Sequence, residues 1–122
     1  MKTNEALDYL RDKYHMIENT IAGVRYLRFG EGLQWVVCTG HNDMLVHMRN
    51  SYSWTWRENR DKEGKLENIE LVFDMTTFSF TFCEPVYMDS KMDELYKKHQ
   101  ILEKEIKEKK YLMKLNRIES DF

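Results

Sequence analysis

The chain has 122 residues, 42% of them hydrophobic and 33% charged, with a formal net charge of −2. That length suffices for one domain, 1–122, whose core needs neither a disulfide nor a metal, and the charge leaves no overall field drawing the chain to DNA, RNA or anionic lipid. The longest apolar run, Trp35-Val36-Val37-Cys38, is far too short for a membrane span.

Taken in order, Met1 to Glu5 shows no apolar h-region, so a secretory signal is not expected. Thr3 reads as an N-cap, and Ala6, Leu7, Leu10, Tyr14 and Ile17 follow at helical spacing, which predicts a surface helix over 4–17. After Asn19-Thr20 the pattern changes to alternation punctuated by turn residues, as antiparallel strands read. The predicted strands are Ile21 to Phe29, Leu33 to Thr39, Met44 to Arg49, Tyr52 to Arg57, Leu66 to Phe73 and Thr76 to Phe82. Glycine-bearing turns at Gly30-Glu31-Gly32 and Gly40-His41-Asn42-Asp43 separate the first three, and the polar loop Asn59 to Lys65 joins the fourth and fifth.

Alternation also assigns faces. Tyr52, Trp54 and Trp56 oppose Ser53, Thr55 and Arg57; Ile69, Leu71 and Phe73 oppose Asn68, Glu70 and Val72; Phe78, Phe80 and Phe82 oppose Thr77, Ser79 and Thr81. One apolar and one polar face per strand describe a sheet covered on one side and wet on the other. Pro85 marks the exit from the sheet. The predicted class is α+β: an N-terminal helix, an antiparallel meander of about six strands, and a long C-terminal helix packed on one face.

That last helix is predicted over Asp89 to Ile118, opened by Ser90-Lys91-Met92-Asp93, which resembles a capping box with Asp in the Glu place. About 29 residues make a rod of roughly 43 Å, longer than the roughly 35 Å body of so short a chain. Met92, Leu95, Tyr96, His99, Leu102, Ile106 and Met113 form one apolar stripe suited to the sheet. Tyr111, Leu115, Ile118 and Phe122 form a second, differently aimed stripe, the expected seat of a homo-oligomer contact.

Few chemical motifs stand out. Cys38, His41 and His47 supply at most one ligand pair and fall short of the two spaced pairs of a zinc site, so neither metal nor cofactor is expected. Cys38 and Cys83 read as reduced, packed thiols of a cytoplasmic protein. No nucleophile motif, phosphate-cradling glycine loop or dinucleotide fingerprint occurs. The aromatic strand with Trp54 and Trp56, flanked by Arg49 and Arg57, is the most suggestive local feature, since stacked rings and arginine hold nucleobases and phosphates. An aromatic face alternating with Ser and Thr is nonetheless what a core-facing strand looks like, and core is the reading favoured for the rings.

The reading these residues favour is a non-enzymatic protein acting by protein-protein contact, for example a phage or mobile-element inhibitor of a bacterial defence system. The alternative is a binder of a nucleotide-like anion through Arg49, Arg57 and the strand aromatics. An enzyme with a dispersed site is third.

Overall fold

The computed structural model describes residues 1–120; Phe122, the last member of the second stripe, lies outside them. The described residues form α1 (Thr3–Lys13), β1 (Ile17–Ile21), β2 (Val24–Arg28), β3 (Trp35–Thr39), β4 (Leu45–Arg49), β5 (Trp54–Arg60), β6 (Leu66–Phe73), β7 (Phe78–Phe82) and α2 (Pro85–Ser120). Five strands make one antiparallel sheet in the order β1-β2-β3-β4-β7, and β5 pairs with β6 in a separate two-stranded hairpin. The α+β class and the order helix, antiparallel strands, long helix are as the sequence predicts.

Several boundaries differ, each for a local reason. Thr3 caps nothing: the N-cap residue is Lys2, and the Thr3 hydroxyl donates to the main-chain oxygens of Asn42 and Leu45 at 2.8 and 3.1 Å. The first helix stops at Lys13 because His15 turns left-handed, at φ 53°. Leu10, Tyr14, Ile17 and Ile21 keep helical spacing across that break, which makes the helix look longer than it is. Ile17 to Ile21 is instead a strand, turned back onto β2 by Ala22 and Gly23 at φ 50° and 79°. Two successive positive φ values suit a two-residue hairpin, but alanine at the first of them hides the turn from a sequence reading. α2 begins at Pro85 rather than near Ser90; proline suits a first helical turn because its missing N–H has no partner to lose there. The six expected strands are therefore seven among the described residues, divided between two sheets.

Register decides which side of the sheet is core. Leu27, Val37 and Met48 are successive cross-strand partners, and all three are fully buried. The pairing of β2 with β3 shifts between Leu27 and Arg28, and this bulge lets the adjacent Val36 and Val37 both be buried, which strict alternation would forbid. Against this face lie Ala6, Leu7 and Leu10 of α1 and Met88, Met92, Leu95 and Leu102 of α2, none more than 2% exposed. Both helices thus cover the same side.

Tyr52 sits where the two sheets part. Its ring, 2% exposed, meets Phe29 edge-on at 5.7 Å and lies 5.7 and 5.4 Å from the rings of Trp54 and Phe73. The two helices are tied to each other through Asp89. Its carboxylate accepts from the Tyr9 hydroxyl at 2.8 Å and pairs with the Lys13 ammonium at 2.9 Å, while Tyr14 donates to Asp93 at 2.7 Å. Burial alone would raise the Asp89 carboxyl, but the bonds from Lys13 and Tyr9 hold it below the ordinary range. Asp89→Ala should cost about 1–3 kcal/mol in chemical denaturation, because the Tyr9 hydroxyl and the Lys13 ammonium then lose their acceptor.

His99 of α2 is 4% exposed, stacks on Phe29 at 4.7 Å and meets Glu103 through Nε2 at 2.8 Å. Burial lowers its pKa, although Glu103 pulls the other way. The unfolded chain therefore takes up this proton first as pH falls below about 6.5, and stability is lost down to the folded value. The drop in melting temperature between pH 7.5 and 5.5 should be smaller for His99→Phe than for the unaltered chain; an equal drop would remove His99 as a source of acid sensitivity.

Candidate functional site

With both helices on one side, the other side of the five-stranded sheet has no cover from any described element. Its central row is Tyr26, Cys38, His47 and Phe80, successive partners from β2 to β7. Phe78 stands opposite Arg49 and Phe82 opposite Leu45. Because Val46 and Met48 are the core residues of β4, this register turns all three phenylalanines of β7 outward, where they are 50%, 49% and 58% exposed. This corrects the expectation that they face the covered side. Alternation identified the apolar face of the strand, but only the pairing with β4 shows which way it points.

The rings form a continuous belt. Tyr26 and Trp35 lie 5.6 Å apart, Trp35 and Phe78 5.9 Å, Phe78 and His47 4.9 Å, and His47 and Phe80 4.3 Å. His41 meets His47 edge-on at 5.2 Å, and Phe80 at 5.3 Å. Gly40 lets the turn after β3 pass close to the start of β4, since a Cβ there would sit 2.3 Å from the Leu45 carbonyl oxygen. A shallow groove of about 330 Å³ crosses the belt between Tyr26, Trp35, His41, His47 and Phe78.

The belt is nearly free of charge. Its fixed cations among the described residues are Arg28, opposite Trp35 at the end of β2, and Arg49; the Arg49 guanidinium lies 4.0 Å from the Trp35 ring and donates to the main-chain oxygens of Trp35 and Thr76 at 3.1 and 3.2 Å. No carboxylate among the described residues pairs with it. Cys38 Sγ lies 3.7 Å from His47 Nδ1. Burial pushes the Cys38 thiol up and the His47 imidazole down, so the fold favours the uncharged pair over the thiolate–imidazolium form used in nucleophilic catalysis. Among the described residues, no group of three or more His, Cys, Asp or Glu side chains could hold a metal ion, and both cysteines are free thiols.

The residues singled out in the sequence fall in three separate places. Arg49 belongs to the aromatic belt. Trp54 and Trp56 belong to the hairpin, half-buried against α2, and both indole N–H groups donate to one oxygen of Glu105, at 3.2 and 2.8 Å. Arg57 points to the other side of that hairpin and pairs with Glu70 across it. The two arginines therefore do not converge with the tryptophans on one ligand. Tyr111, Leu115 and Ile118, joined by Leu112, stay 62%, 36%, 46% and 46% exposed along the last turns of α2, a helix that runs unbroken to Ser120. Its inward stripe continues as Ile106 and Met113, half-buried toward the hairpin.

The Glu105 bridge is the polar clasp between hairpin and helix. Glu105→Ala should lower stability by about 1–3 kcal/mol and shift the tryptophan emission to longer wavelength, as two indoles lose a charged acceptor. Unchanged emission would show that packing alone seats the hairpin. Compared with known family models, with curated proteins and with solved structures, the chain matches none.

Proposed function

We propose that this protein acts by contact with other protein chains and that the uncovered aromatic face of the five-stranded sheet is its main contact surface. The observation that carries this reading is the row Phe78, Phe80 and Phe82, each about half exposed on a strand at the sheet's edge. Contiguous exposed aromatic surface of this kind is costly in water, and aromatic side chains dominate the centres of protein interfaces. β7 pairs with β4 alone among the described strands, so one side of its main chain is open to an added strand. A fitting partner presents apolar side chains to the belt and a carboxylate to Arg49, whose half-buried charge forms no ion pair with a described residue.

The exposed stripe Tyr111, Leu115 and Ile118 supports self-association through α2, as its spacing of four and three residues is that of a helix-pairing seam. The concrete form we infer is a phage or mobile-element inhibitor that occludes a component of a bacterial defence system. Occlusion requires a contact face and an anchoring set of side chains, and no chemistry.

Pull-downs from a bacterial host, paired with native mass spectrometry, test both surfaces. Phe80→Asp should abolish capture of a stoichiometric partner while leaving the subunit number unchanged. Leu115→Asp with Ile118→Asp should reduce the assembly to single chains while keeping that partner. If no partner is captured, or if Phe80→Asp captures it undiminished, the sheet face is not the interface. If the double variant keeps its assembly state, α2 is not the self-association seam.

A further inference from the structure

A second surface, remote from the aromatic belt in sheet and in chemistry, lies where the β5–β6 hairpin meets the last third of α2. The helix is pinned to the hairpin at two points. Glu105 holds the two indoles, and Asn116 Nδ2 donates to the Leu66 carbonyl at 2.9 Å. Eleven residues of helix, about 16 Å, separate the pins. Between them helix and hairpin stand apart and leave an open cleft of about 720 Å³.

The walls of this cleft differ in character. From the hairpin come Trp56, Ile69 and Leu71, all half-buried. From α2 come residues 106, 109, 110, 113, 114 and 117, one face of a helix at spacings of three and four. Ile106 and Met113 continue the apolar floor; the other four are Lys109, Lys110, Lys114 and Arg117. Among the described residues, the one carboxylate lining the cleft is Glu31. Lys109 holds its ammonium 5.7 Å from the centre of the Trp56 ring. None of the four cations forms an ion pair with a described residue. Four cations against Glu31 in the lining and Glu105 at one end still leave an excess of positive charge here, in a chain whose net charge is −2.

We propose that this cleft binds an organophosphate, with the apolar body of the ligand on Trp56 and the aliphatic floor and its phosphate on the lysines and Arg117. The volume lies within the roughly 300–1,000 Å³ of small-molecule sites and is too small for a folded partner. An apolar floor alone would take a neutral ligand, and a basic rim alone would take free phosphate; the combination selects a molecule carrying both parts. Two pinned ends keep the cleft from closing on itself, so its shape exists before the ligand arrives.

Titration calorimetry with the full chain tests this using three probes: adenosine diphosphate (a flat body), decyl phosphate (an aliphatic body) and inorganic phosphate (no body). At least one of the first two should bind with one site per chain, and roughly tenfold or more tighter than inorganic phosphate. Lys110→Glu with Lys114→Glu, both at exposed positions, should weaken that binding at least tenfold (about 1.4 kcal/mol) while circular dichroism stays unchanged. Should that variant misfold, Lys114→Ala replaces it, with a smaller loss in the same direction. Phe80→Asp should bind as the unaltered chain does, which separates this site from the protein-contact face. The proposal is overturned if neither organophosphate binds at millimolar concentration, if inorganic phosphate binds as tightly as both, or if the charge-reversed variant binds undiminished.

Discussion

The length of α2 is the constraint on which the rest of the structure depends. Thirty-six helical residues extend about 54 Å. Five strands about 4.8 Å apart, each five residues long, offer a platform only about 20 Å on a side. The helix overruns that platform in any direction. Its first half is seated by the sheet, through Met88, Met92, Leu95 and Leu102; its second half needs another surface, and the detached hairpin supplies it. The split of the strands into two sheets thus answers a problem set by one helix.

The uncovered belt follows from the same arrangement. α1 and α2 compete for one face of the sheet and between them fill it, so nothing in the described chain remains for the other. A face left open in this way would ordinarily alternate toward polar residues. Here it carries Trp35, Phe78, Phe80 and Phe82, and that departure from the usual pattern is what the proposed contact role rests on. The basic cleft has a related origin: a helix that seats on two platforms leaves a gap where the second is met.

Much of this was legible in the residues. The stripe Met92 to Met113 announces a helix that covers a sheet, and the alternation of Tyr52-Ser53-Trp54-Thr55-Trp56 announces a strand with one apolar side. What alternation cannot show is the identity of the neighbour. β7 follows β6 in sequence but pairs with β4, and that choice turns Phe78, Phe80 and Phe82 toward solvent. Side-chain period is a property of one strand, whereas facing is a property of a pair. The cleft was hidden for a similar reason. Lys109, Lys110, Lys114 and Arg117 look like an ordinary solvated helix face until the hairpin is placed opposite them. The anionic alternative drew attention to Trp56 but paired it with Arg49 and Arg57, which a different sheet and a different face keep away from it.

The position of the hairpin between β4 and β7 also bears on how the chain finds its fold. Pairing those two strands directly, at Asn50 and Thr77, closes a loop of 27 residues. If the hairpin forms first, Ser53 and Asp74 are already joined by a main-chain hydrogen bond, and only a few loose residues remain on either side. The entropy of closure grows with the logarithm of loop length, so this nesting lowers the cost of the β4–β7 contact by about 1 kcal/mol. Every other neighbouring pair in the five-stranded sheet is consecutive in the chain. A local hairpin thus turns the single distant pairing of the sheet into a nearly local one, and the whole assembly can zip from turn to turn.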